Sequence, residues 1–449
     1  MIRNERPGLR QAAVALQHRD FRFFYGALLV AGMGGQIQSF ANVLQIYDMT
    51  GSALQIGLTG FARAIPTIAF SLMGGVIADR VDRLKFSMLT QGINGVISVA
   101  LAVLTLTGLI NVWHIYVLTF LGASAQALNA PARSALLPNL VPRNHLINAI
   151  ALNSTVYQSS NIIGPTISGI SVAAFGFVPT YLINGLTQIA AILLLAMIRA
   201  GRITVRTTQS PIQGMIEGLS FVRRRSIILV LLAADVGETV LARYMAIVPI
   251  VAVALGAGHA GAGILAAGPG VGSLVGATVI MSLGNFRYKG LWIIAALLSY
   301  CCALALLGAA PWLANGTPFI LDPAVQERFP DTVSPWFALA VVATFLLGLF
   351  DSMQAAPRNG VIQLLIPDEL RGRVSSFQSM LTNGMPPLGQ AFNGALASVI
   401  GAPLALLAGA AACATYEISL VATRRDLRAP DLGEQPITTS SPVSTPTNA

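Results

Sequence analysis

The chain has 449 residues, of which 54% are hydrophobic and only 10% charged; 27 basic against 18 acidic residues leave a net charge of +9. An average soluble domain is about 25% charged, so this composition excludes a soluble globular fold and calls for many membrane crossings. The pI near 9.9 does not mark a nucleic-acid binder, because the Arg residues are scattered between apolar runs and form no basic, aromatic-laced domain.

Stretches without Asp, Glu, Lys or Arg run from Phe86 to Ala132, His145 to Ile198, Tyr244 to Phe286 and Val374 to Tyr416. Each holds two helices of about 20 residues with a turn between them, the length that a hydrocarbon core of about 30 Å demands. Twelve spans are predicted, at 21–47, 53–78, 84–108, 112–132, 145–174, 177–198, 226–254, 260–284, 289–311, 335–357, 371–399 and 402–423. The expected fold is an all-α polytopic membrane protein. Residues 1–20 form a leader, 21–198 a first six-helix bundle, 199–225 a linker, 226–423 a second bundle and 424–449 a tail.

An even number of spans puts both termini on one side. Of the 27 basic residues only Arg328 falls in a far-side loop, and Arg63 and Arg243 lie within spans, away from their cytoplasmic ends. The rest lie on the side of the termini, which the positive-inside rule makes cytoplasmic. Anionic lipid headgroups are their electrostatic partner. Met1 to Asp20 is polar and basic, without the apolar stretch and small-residue cleavage site of a signal peptide.

In chain order, span 1 carries Gln38, Asn42 and Gln45 at i, i+4, i+7, one helix face. In a membrane such a stripe faces neighbouring helices or a water-filled cavity, since lipid cannot satisfy amides. Span 2 passes Arg63 and ends in the charged turn Gly75-Val76-Ile77-Ala78-Asp79-Arg80-Val81-Asp82-Arg83-Leu84-Lys85. Span 4 closes with Ala130-Pro131-Ala132-Arg133, which is echoed by Ala356-Pro357-Arg358 at the end of span 10. A shift of 225 residues pairs Arg133 with Arg358, Leu140 with Leu365, Pro142 with Pro367, Gly164 with Gly389 and Gly169 with Gly394. Such an echo predicts two parallel bundles related by an axis along the membrane normal.

Span 5 holds Gly164-Pro165-Thr166-Ile167-Ser168-Gly169, and a second polar stripe of Asn153, Tyr157, Ser160 and Asn161. Gln38, Asn42, Asn153, Tyr157 and Asn161 are the candidate cavity residues, and their lack of charge suits a bulky amphipathic solute better than a small ion. In the linker, Ser210-Pro211-Ile212-Gln213 starts a short amphipathic helix on the membrane surface, with a capping box and Pro at its first position. Span 7 carries Asp235, Glu238 and Arg243, the densest intramembrane charge. At about 1.5 Å per residue from Ser226, Glu238 sits about 18 Å from the cytoplasmic edge, close to mid-membrane. A carboxylate there is costly to keep ionised and can load and release a proton. Arg63 or a residue on another helix is the expected partner, because Arg243 is about 140° round a regular helix from Glu238. The tail is rich in Pro, Thr and Ser, a composition expected to be disordered.

The turn at 75–85 resembles the loop between helices 2 and 3 of the major facilitator superfamily, G-x-L-A-D-R-x-G-R-R/K, at Gly75, Ile77, Ala78, Asp79, Arg80, Arg83 and Lys85. Asp82 stands where that superfamily usually has Gly. Gly164, Pro165 and Gly169 resemble the G-P-x-x-G-G element of its exporters, with Ser168 in place of the first paired glycine. Arg19-Asp20-Phe21-Arg22, Thr50-Gly51-Ser52, Gly57-Leu58, Arg63, Pro66 and the run 78–83 together resemble the bacterial enterobactin-exporter and macrolide-efflux branch, the drug:proton antiporter-3 group.

The resemblance implies a bacterial inner-membrane exporter of drug-like compounds or siderophores, driven by protons, with Gly75, Asp79, Arg80, Arg83 and Lys85 as its gating motif. It places Asp79 beside the start of helix 11. Span 4 lacks the embedded Arg of the R-x-x-Q-G element that many proton antiporters carry. Uptake, or traffic of lysophospholipid, stays open as the alternative. His18, His114, His145 and His259 are scattered, and there is no nucleotide loop, nucleophile elbow or metal-ligand spacing; neither enzyme chemistry nor a cofactor or metal is expected.

Overall fold

The computed structural model describes residues 13–78, 81–199, 219–223, 225–284, 286–315 and 333–424. The first bundle is α1 (Arg19–Thr50), α2 (Ala53–Ala78), α3 (Arg83–Leu106), α4 (Val112–Leu140), α5 (Leu146–Phe175) and α6 (Phe177–Ala196). The second is α7 (Ser226–Leu241), α8 (Val248–Ala254), α9 (Gly258–Leu283), α10 (Lys289–Asn315), α11 (Trp336–Leu365), α12 (Asp368–Ile400) and α13 (Ala402–Thr423). No strand occurs among the described residues. With α7 and α8 as one crossing, these are the twelve expected spans. Eight helices are long and apolar enough to cross a membrane on length and composition alone; α4, α5 and α12 carry more polar side chains, and the seventh crossing is interrupted. Most of the linker (200–218) and the tail from residue 425 lie outside the described residues, as does the far-side loop 316–332. The helical stretch 219–223 is described, and its Val222 is buried in the second bundle.

The 225-residue echo is a structural repeat. Gly176 joins α5 to α6 at φ +80° and Gly401 joins α12 to α13 at φ +83°, a left-handed conformation that only Gly adopts freely. Their N–H groups donate to Val172 O and Ala397 O, both at 2.9 Å, and the same shift relates those acceptors. Packing follows the repeat as well. In the first bundle α1 packs on α5 and α6, α2 on α4, and α3 on α6; in the second α7 packs on α12 and α13, α9 on α11, and α10 on α13.

Two crossings join the bundles, α2 against α12 and α5 against α9, and the repeat exchanges one for the other. Each is built on a pair of glycines. A Cβ on Gly394 would stand 2.5 Å from Gly57 Cα, and one on Gly169 2.5 Å from Gly263 Cα. Backbones approach this closely only where neither residue has a side chain. Both contacts sit towards the helix ends remote from the termini, here called the far side.

On the far side one apolar core is shared between the bundles. Phe40, Tyr47 and Ile56 of the first pack with Ile247, Leu255 and Leu265 of the second. On the side of the termini the core is divided in two. Phe21, Phe24, Leu136 and Leu140 belong to one cluster, and Ile228, Leu231, Ile362 and Val374 to another. Among the described residues, then, the bundles share one apolar core on the far side and keep separate ones on the side of the termini.

The seventh span departs from the predicted continuous helix 226–254. It breaks between Leu241 and Val248, and α8 restarts with a Pro in its first turn. Pro249 has no N–H to give to Met245 O, which weakens a continuous helix at this point. A break exposes carbonyls, which hydrocarbon cannot satisfy. Asn393 Nδ2 of α12 donates to Val240 O at 2.8 Å, and Tyr300 Oη of α10 to Ala242 O at 3.3 Å.

Candidate functional site

In the turn between α2 and α3, Asp79 and Arg80 lie outside the described residues. Asp82, the departure from the superfamily pattern, caps α3: its Oδ1 accepts from Leu84 N at 3.1 Å and Lys85 N at 3.3 Å. Arg83 is buried and donates through Nη1 to Ala135 O of α4 at 3.2 Å, while Lys85 is exposed. Gly75 lies in the last turns of α2. The described part of the turn is thus tied to its own bundle.

The polar stripe of α1 is taken up by helix–helix hydrogen bonds. Gln38 Oε1 accepts from Asn184 Nδ2 at 2.5 Å, Asn42 is buried and donates to Thr119 Oγ1 at 3.2 Å, and Gln45 meets Thr105 and Tyr181 at 3.0 and 2.7 Å. Of the two roles open to this stripe, contact with neighbouring helices is the one these distances describe. Asn153 and Asn161 on α5 are partly exposed; the side chain of Tyr157 is outside the description. Gly164 packs against Gln36 and Met33 of α1, and Gly169 against α9 of the other bundle, with Pro165 between them.

Arg63 donates through Nη1 to Ser39 Oγ at 2.7 Å, within the first bundle. The hydrogen-bond partner of Glu238 comes from α11. Gln354 Nε2 donates to Glu238 Oε2 and to Asp351 Oδ1, both at 3.0 Å, and Gln354 Oε1 accepts from Arg358 Nη1 at 2.6 Å. Arg358 Nη2 then closes an ion pair with Asp235 Oδ1 at 2.7 Å. Spacing explains the reach: Asp351, Gln354 and Arg358 fall at i, i+3 and i+7 on α11, one face, opposite the i, i+3 pair Asp235 and Glu238 on α7. Arg243 falls in the break, not on a regular helix, and its charge acts on Asp351.

Arg358 is thus corrected from a basic residue at the end of span 10 to an intramembrane cation, 5% exposed. Three further members were not singled out in the sequence: Asp351, Gln354 and Glu417. Asp351 is exposed by its surface area and accepts from Gln354 Nε2 at 3.0 Å. Glu417 of α13 is 0% exposed and lies within electrostatic reach of Arg358 and Asp235. The network therefore joins four carboxyl groups, one amide and one close cation on three helices of one bundle. Such an arrangement can exchange protons and alter helix contacts as it does so. No group of three or more potential metal ligands occurs among the described residues.

A family model described as "Transmembrane secretion effector" matches residues 11–436. The MFS-type transporter YfiS of Bacillus subtilis (strain 168) is 27% identical over 377 residues, which cover 81% of this chain and 83% of that protein. The multidrug efflux pump Tap of Mycolicibacterium fortuitum is 25% identical over 394 residues, covering 85% and 90%. Among solved structures, a peptide transporter, POT, in complex with sulfate superposes with a TM-score of 0.69 at 12% identity, covering 91% of this chain and 94% of that one; at that identity the likeness is one of fold.

Proposed function

Because the chain belongs to the transmembrane secretion effector family of the major facilitator superfamily, an integral membrane transporter family, we propose that it exports a small amphipathic molecule by alternating access in exchange for protons. The site of action in this reading is the bacterial cytoplasmic membrane, with the termini in the cytoplasm. The observation that carries it is the network of Asp235, Glu238, Asp351, Gln354 and Arg358, which ties α7 to α11 inside the second bundle. An intramembrane carboxylate is retained against several kcal/mol of desolvation only where it serves a pathway.

Export is supported by two things. Tap, similar over most of both chains, is a multidrug efflux pump, and Gly164, Pro165 and Gly169 resemble the element found in exporters of the superfamily. Protons and substrate then address the same structure: protonation of Asp235 or Glu238 weakens the hold of α11 on α7, and so changes the packing of the second bundle against the first. The gating motif at 75–85 would act at the opposite end of the cycle, when the near-side ends of the bundles meet.

Cells that express the chain should accumulate less ethidium than cells that do not, and a protonophore should abolish the difference. Equal accumulation in both, or a difference that survives the protonophore, would overturn the proposal.

A further inference from the structure

Glu417 differs from every other acid of the network. Asp235 holds Arg358, while Glu238 and Asp351 share the amide of Gln354. Glu417 Oε1 and Oε2 are both buried and neither has a hydrogen-bond partner. A carboxylate shut away from bulk solvent with no protein donor is costly by several kcal/mol, far more than the neutral acid. Among the described residues the cation within its reach is Arg358, whose guanidinium is committed to Asp235 and Gln354.

We infer that Glu417 is a proton-binding site of the transporter, occupied in this conformation, and that it competes with Asp235 for Arg358. The inference rests on the proton-coupled reading above and assigns it a residue. In the step itself, the O–H bond of the Glu417 carboxyl group breaks and the proton leaves to water. The carboxylate that remains takes an N–H donor of Arg358, and Asp235 gives that donor up. No bond of the guanidinium changes, and one net charge leaves the bundle. Since Glu417 has no contact with solvent here, the proton can move only after the surrounding helices do, which ties proton release to the conformational change.

The groups around Glu417 fit this role. From α7 it faces Asp235 and Glu238, and from α11 Arg358. From its own helix come Tyr416 and Cys413, and from α10 Cys301, which contacts Cys413. Among these Arg358 is the one permanent cation, and it has two carboxyl claimants in Asp235 and Glu417.

The test uses the purified full-length chain in lipid nanodiscs and reads the carbonyl stretch of un-ionised carboxyl groups by infrared difference spectroscopy at neutral pH. The wild type should show the band and Glu417→Gln should lack it. Asp235→Asn should also lose it, although Glu417 is intact, because Arg358 is then released to ionise Glu417. That second variant keeps the inference open to refutation if Glu417→Gln does not fold. A band unchanged in either folded variant overturns the inference, as does a band removed by sodium at constant pH, which would make the ligand a metal cation. If the bands behave as expected while ethidium efflux ignores a protonophore, the site stands and the proton-driven reading falls.

Discussion

His259 Nε2, in the first turn of α9, lies 2.9 Å from Asp48 Oδ1, near the end of α1. This is a polar tie between the two bundles on the far side, and the ring of Phe177 stands edge-on to the imidazole at 5.9 Å. The partners are 29% and 36% exposed, so solvent screening limits the pair to about 1 kcal/mol or less. Asp48→Asn should leave folding intact and shift the balance towards the far-side-open state by at most about fivefold. Distances between spin labels on far-side loops would show the shift; an unchanged distribution would make the contact ornamental.

The glycine crossings should matter more. Gly169→Ala and Gly394→Ala each place a methyl group 2.5 Å from a backbone Cα of the other bundle. The helices cannot yield without parting, and overpacking of this kind costs about 1–3 kcal/mol. Because the repeat exchanges the two crossings, both variants should disfavour the far-side-closed state alike. Gly35→Ala and Gly92→Ala, where a Cβ meets nothing within 4 Å, are the controls. Far-side cysteine cross-linking that falls in the first pair and holds in the second would bear this out; equal yields in all four would not.

Removing Arg358 should damage the second bundle. Arg358→Gln leaves Asp235 without its cation, and breaking a buried pair from one side costs about 3–5 kcal/mol. Adding Asp235→Asn removes the stranded charge and should recover much of the loss. Thermal unfolding in detergent measures both; a double variant no more stable than the single one would show that the pair is not what Arg358 supports.

Glu238→Gln keeps the acceptor that Gln354 uses and removes titration. Gradient-driven efflux should fall while movement of substrate down its own gradient continues. Efflux that keeps its normal response to the proton gradient would take Glu238 out of the coupling.

How far these sites were legible in the sequence depends on the kind of signal each one leaves. Apolar length and the distribution of Arg are summed over many residues, so the spans and the paired bundles could be read before any coordinate. The 225-residue shift even aligned Gly169 with Gly394, which turn out to occupy equivalent crossings. Single residues near span ends were not legible. Arg358 reads as a basic flank because basic residues normally mark the membrane edge, and only its partner on α7 shows that it is buried. Glu417 falls inside the predicted twelfth span, 402–423, but follows directly on the charge-free stretch that ends at Tyr416 with no second charge near it, and so does not stand out. The break in the seventh span left one trace, Pro249. The α1 stripe was ambiguous in principle, since an amide turned to a neighbouring helix and one turned to water have the same spacing.

The break at residues 242–247 also bears on how the protein is made. Its exposed carbonyls are satisfied by Tyr300 on α10 and Asn393 on α12, which are synthesised after the seventh span has reached the membrane. During that interval the kinked form has no donors, and lipid offers none. The nascent seventh span therefore waits in a water-lined or protein-lined environment, or crosses first in a more regular form, and takes its final shape only when the last bundle closes around it. Truncation before α10 should leave this segment the first target of membrane quality control.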